Sequence, residues 1–82
     1  MKKIKFSING IEKECEILYT FKSDNTNKDY LICTDNTIEN EKLSVYSFIY
    51  YPNDKSKGVE RISKDEDWHE VENFINLVGG NL

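Results

Sequence analysis

The chain of 82 residues reads as an α+β domain: an antiparallel meander sheet of about five strands, open or curled into a partly closed barrel, with one C-terminal helix packed on one face. Three observations predict this. Short segments of alternating or continuous apolar residues recur between clusters of turn formers through most of the chain. The one clear helical periodicity comes after them. Strands that follow one another before a helix, rather than alternating with helices, belong to α+β architectures.

Strand one, 3–8, alternates Ile4, Phe6 and Ile8 with Lys5 and Ser7, and Asn9-Gly10 supplies two residues that tolerate the positive φ of a type I′ hairpin turn. Strand two, 11–22, sets Cys15, Ile17, Tyr19 and Phe21 against Glu14, Glu16, Thr20 and Lys22, with Leu18 out of phase. The polar run SDNTNK reverses the chain into strand three, 28–35. With a symmetric turn, Tyr30 and Ile32 match the inward set of strand two, while Leu31 and Cys33 fall on the side of Leu18. NTIENE is the next loop. Strand four, 42–51, stops before Pro52, which has no N–H to give a neighbouring strand. NDKSKG turns the chain into a short fifth strand, 59–62, with Val59 and Ile62 inward.

The helix, 64–78, opens on Ser63 followed by Glu66, the spacing of a capping box. Asp65, Glu66 and Asp67 lie where the helix dipole favours negative charge. Trp68, Val71, Phe74, Ile75 and Val78 form the apolar stripe, and Gly79-Gly80 supplies the stop. That stripe covers one sheet face, expected to be the side of Ile17, Tyr19 and Phe21.

Strand four, KLSVYSFIYYP, sets a problem. Leu43, Val45, Ile49 and Tyr51 share one face, and Tyr46, Phe48 and Tyr50 the other, so both sides want cover. The row Leu18, Leu31 and Cys33 with Tyr46, Phe48 and Tyr50 is therefore the candidate interaction surface. Three things can cover it: the sheet curling on itself, a second copy of the chain, or a ligand or partner.

Composition narrows the functions. One short domain with no alanine, five Tyr, four Phe and one Trp builds a thin, aromatic core. A net charge of −4 argues against nucleic acid and anionic membrane as partners. The scattered lysines Lys2, Lys3, Lys5, Lys55 and Lys57 read as solubilising charge. No long apolar run or signal-peptide core is present, which points to the cytoplasm. Cys15 and Cys33 sit inside strands as small apolar residues; the symmetric register puts them on opposite faces, and a one-residue shift would put them diagonally on one face. They are expected to be reduced.

The stretch VYSFIYYPNDKSKGVERISKDEDWHEVENFI, residues 45–75, resembles the signature of the YrzB-like family, short acidic bacterial proteins with a domain of unknown function. The resemblance rests on Val45, Tyr46 and Phe48; Asn53, Asp54 and Gly58; Ile62; and Asp65, Glu66, Asp67, Val71 and Phe74. The first half is similar through Gly10, Glu12, Leu18, Thr20, Phe21, Lys28 and Tyr30. The resemblance implies a small bacterial cytosolic protein and carries no catalytic or binding residues with it.

No constellation of residues carries recognisable chemistry. His69 is the lone histidine, opposite the apolar stripe. Asp24–Asp29 lacks the acid and glycine spacing of a calcium loop. Two Cys and one His at wide spacing make no zinc site. There is no nucleophile motif and no phosphate loop. The expectation is no catalytic, cofactor-binding or metal residues, and a non-enzymatic module that binds a protein partner or itself as a homodimer. The alternative is a small-molecule binder or minor enzyme with a pocket between helix and sheet, lined by Tyr19, Tyr30 or Trp68. Single-stranded nucleic-acid binding through the aromatics of strand four comes third, because that strand has no interleaved Lys or Arg.

Overall fold

The computed structural model describes residues 2–8, 10–54 and 56–78. The elements are β1 (Lys3–Ile8), β2 (Ile11–Lys22), β3 (Asp29–Glu39), β4 (Lys42–Tyr50), β5 (Val59–Arg61) and α1 (Asp65–Leu77). All strand pairs are antiparallel, and the sheet order is the sequence order. Gly10 takes φ 80° in the first turn, a conformation open to glycine at no steric cost. Asn9, Lys55, Gly79 and Gly80 lie outside the described residues.

A bulge in β2 overturns the expected register. Ile17 stands opposite Cys33 and Tyr19 opposite Ile32, so Leu18 is an extra residue without a partner of its own. Because side chains alternate every residue, one insertion reverses the facing of everything beyond it. Cys15 and Ile17 thus join Leu31 and Cys33 on one face, while Tyr19 and Phe21 join Tyr30 and Ile32 on the other. The symmetric reading placed Leu18 opposite Cys33, Cys15 on the far face and Ile17 under the helix, and each of these positions is corrected.

The stretch NTIENE is strand rather than loop for most of its length. Glu39 pairs with Lys42, leaving Asn40 (φ 51°) and Glu41 (φ 64°) as a two-residue turn with positive φ at both positions. Local bonds carry β3 through its irregular section at Asn36 (φ 65°). Asp35 Oδ1 accepts from the Thr37 N–H at 3.0 Å and the Thr37 hydroxyl at 2.7 Å, and Thr34 Oγ1 donates to Ser44 O at 2.6 Å. These side chains replace lost ladder bonds, so a polar sequence stays extended.

Two apolar clusters result. On the helix side lie Tyr30, Ile32, Ile49, Ile62 and Val71, with Tyr19, Phe21, Val45, Phe74 and Ile75 packed against them. Phe21 stacks on Phe74 with ring centroids 4.1 Å apart. On the other side lie Phe6, Cys15, Leu31, Cys33 and Phe48. The Phe6 and Phe48 rings are 4.7 Å apart, and those of Phe6 and Tyr46 5.9 Å. In a flat sheet β1 and β4 would stand three strand spacings, roughly 14 Å, apart. The sheet therefore curls into a half-barrel that folds β1 over its own second face.

The helix begins one residue later than a Ser63 capping box would have it. Lys64 is the N-cap, with no side-chain cap bond, and its carbonyl accepts from the Asp67 and Trp68 amides. In the first turn the Asp67 carboxylate is buried and accepts bonds from Tyr30 of β3 and Lys28 of the β2–β3 loop. Among the described residues no helix is long and apolar enough to cross a membrane.

Candidate interaction site

Curling decides the fate of the row singled out in the sequence. Leu31 and Cys33 are fully buried, and Phe48 is 7% exposed, all inside the inner cluster. Tyr46 and Tyr50 are half-buried and pack against that cluster, whereas Leu18 stands at the bulge outside both clusters. Leu31, Cys33 and Phe48 of this row are core, with Phe6 of β1 packed against them. Burial pushes the Cys33 thiol up to about 12 and raises that of Cys15. Both cysteines are free.

At the margin of this core Tyr46 OH donates to Asp35 Oδ2 at 3.0 Å, and Lys13 Nζ donates to the same oxygen at 3.3 Å. The Thr37 hydroxyl and amide do most to hold the Asp35 carboxyl well below the usual range, with Tyr46 and Lys13 adding to it.

The β2–β3 loop and the helix share a second polar network. Asp67, 1% exposed, accepts from Tyr30 OH at 2.6 Å and from Lys28 Nζ at 3.3 Å. Thr26 Oγ1 lies 2.7 Å from the same Tyr30 hydroxyl, and Ser23 Oγ donates to Glu70. Burial, then the bond to Asp67, pushes the Tyr30 phenol up to about 12. The acidic run 65–67 had read only as dipole complement; Asp67 in fact ties helix to sheet. Among the described residues every buried side-chain N or O has a partner, and no three His, Cys, Asp or Glu converge as metal ligands. His69 is exposed. This network is internally satisfied and has the character of a fastening.

The open feature is the seam where the half-barrel stops short of closing. Between β1 and β5 runs a cleft of about 590 Å³ lined by Lys5, Ser7, Phe48, Lys57, Val59 and Arg61 among others. Among the described residues its lining includes Lys5, Lys57 and Arg61 and no carboxylate, in a chain of net charge −4. A second cleft, about 510 Å³, lies between β4 and α1 and is lined chiefly by Val45, Ser47, Trp68, Val71, Glu72 and Ile75. Ser7, Phe48 and Arg61 line both, so the two form one continuous slot. Trp68, expected in the helix stripe, is instead 43% exposed on its wall. Of the tyrosines expected to line a cavity, Tyr30 is fully buried and Tyr19 packs edge-on against Phe74. Lys5 is distant in sequence from Lys57 and Arg61, and in the sequence Lys5 and Lys57 read as scattered solubilising lysines; the curl brings β1 beside β5.

A protein family of unknown function, DUF1292, matches residues 9–78. The chain belongs to that family. A DUF1292 span from residue 9 contains β2 to α1, and so the β4–β5–α1 wall of the slot, but not β1, which forms the other wall. Among curated relatives, the chain is 34% identical over 71 residues to a UPF0473 protein of Bacillus pumilus, covering 83% of this chain and 75% of that one. It is 33% identical over 73 residues to a UPF0473 protein of Leuconostoc mesenteroides, covering 83% and 74%. No solved structure matches the chain.

Proposed function

We propose that this DUF1292 chain is a non-enzymatic, cytosolic protein-interaction module whose docking site is the seam slot, and that within the family it is YrzB-like. The observation that carries this reading is the slot itself: an apolar wall with a half-exposed tryptophan at one end and a cleft lined by Lys5, Lys57 and Arg61 at the other. Exposed tryptophan beside buried aliphatics is the composition of a binding hot spot. Among the described residues the buried side-chain polar groups are satisfied within the fold, which supports the non-enzymatic reading.

The test is to pan a library of short random peptides against the intact protein and map the binders by amide chemical shifts. Enriched peptides should shift Val45, Ser47, Trp68 and Ile75, and lose affinity on Trp68→Ala, which leaves the circular dichroism unchanged. No enrichment, or shifts confined to surfaces away from the slot, would sink the proposal. A small apolar ligand is the second reading, favoured by the size of the β4–α1 cleft, within the roughly 300–1,000 Å³ of ligand pockets. Fragments that saturate the cleft where no peptide binds would favour it.

A further inference from the structure

The slot contains an unpaired strand edge. Along an extended strand the N–H and C=O of alternate residues point to the same side. The Tyr51 N–H donates to Gly58 O on the β5 side, and Ser44 O accepts from Thr34 on the β3 side. Odd-numbered residues of β4 therefore aim away from β3. β5 pairs only with Phe48, Ile49 and Tyr50. Among the described residues, no strand lies beside the outward-pointing amides and carbonyls of Leu43 and Val45.

Sheet edges are normally guarded by charge, proline or cover. The outer edge of β1 carries Lys3 and Lys5, but Leu43–Ser47 (LSVYS) has neither charge nor proline. It is also walled, with Ser7 of β1 on one side and Trp68 and Ile75 of α1 on the other. A whole sheet from a second copy would meet both walls, whereas a single extended segment fits between them.

Resting on the docking role proposed above, we infer that the slot binds its protein partner by β-strand addition. An extended segment pairs antiparallel to Leu43 and Val45, as every neighbour in this sheet does. Antiparallel to β4, its N-terminal end lies toward β5, so acidic residues preceding the paired portion meet Lys5, Lys57 and Arg61. In the paired portion every second side chain is apolar and faces Trp68 and Ile75. The partner is thus a protein with an exposed acidic run leading into an alternating β-prone stretch.

The test uses the intact protein and a synthetic peptide of two aspartates followed by alternating valine and threonine, in three forms. The parent should bind and slow hydrogen exchange at the Leu43 and Val45 amides. N-methylation at the residues facing β4 should weaken it by about tenfold or more, while N-methylation at the intervening residues changes little. Replacing the aspartates by lysines should weaken it by roughly tenfold at low salt, less at high salt. Equal sensitivity to both N-methylation patterns, with binding still lost on Trp68→Ala, would overturn strand addition and leave the docking site standing. A failure of the parent peptide to bind while library peptides do would have the same meaning. If neither binds, both ideas fall. A concentration-dependent dimer with protected Leu43 and Val45 amides would put a second copy in the slot and overturn the inference.

Discussion

Replacing Asp67 by alanine removes the acceptor that joins the helix to β3. Its carboxylate is 1% exposed and takes the Tyr30 hydroxyl at 2.6 Å. A hydrogen bond to a charged group contributes about 1.5–3 kcal/mol. The Lys28 ammonium at 3.3 Å is 33% exposed on its side chain, so water screens that pair and it adds only about 0.5–1 kcal/mol. Tyr30 keeps Thr26 as a partner, which spares it a full desolvation penalty. The sum is roughly 2–4 kcal/mol, against the roughly 4–12 kcal/mol expected of a domain this size. Urea unfolding should show the midpoint falling with an unchanged slope, and the melting temperature dropping by roughly 10–30 °C. In a double-mutant cycle, Tyr30→Phe with Asp67→Ala should couple by about 1.5–3 kcal/mol. A loss below about 0.5 kcal/mol, within the range of a surface substitution, would refute the view that this buried acid fastens the helix.

Three other outcomes follow from the same geometry. Tyr30 has its folded pKa raised from 10.0 to about 12, so its contribution is intact below pH 10 and lost as pH rises through 12. Alkaline unfolding followed by circular dichroism should lose up to about 3 kcal/mol over that window, less in Tyr30→Phe. At the acid end Asp35 is shifted downward, so its contribution is present above about pH 4 and fades below it; Thr37→Val should flatten that acid limb. Cys15 and Cys33 should resist a thiol reagent in the native protein and react at once in urea, because both are buried with raised pKa values.

The meander was legible because its signals are local. Alternation in β1, the glycine at position 10, the proline ending β4 and the spacing of Val71, Phe74 and Ile75 each report on a few neighbouring residues. Features set by distant partners were not legible. Leu18 marks a bulge, but nothing in its own neighbourhood distinguishes an inserted residue from an apolar one on the wrong face. NTIENE looks like a loop because the side-chain bonds that keep it extended, Asp35 to Thr37 and Thr34 to Ser44, are invisible in composition. The double-faced apolar character of β4 was read correctly as a demand for cover. Its answer, β1 arching over the second face, depends on tertiary curvature. The slot was the least legible part, since Lys5 and Ser7 of β1 come beside Arg61 of β5 only once that curvature exists.

The bulge in β2 also bears on how the molecule comes apart. One half of the strand packs Cys15 and Ile17 into the inner cluster, and the other packs Tyr19 and Phe21 beneath the helix. A single backbone is thus spliced into both hydrophobic nuclei, and neither can melt without dragging on the other. Deleting Leu18 would leave Ile17 opposite Cys33 and Tyr19 opposite Ile32 in an unbroken ladder, with both residues on the faces they already occupy. The protein is therefore expected to unfold in one step, with the β2 amides around the splice among the last to exchange with solvent.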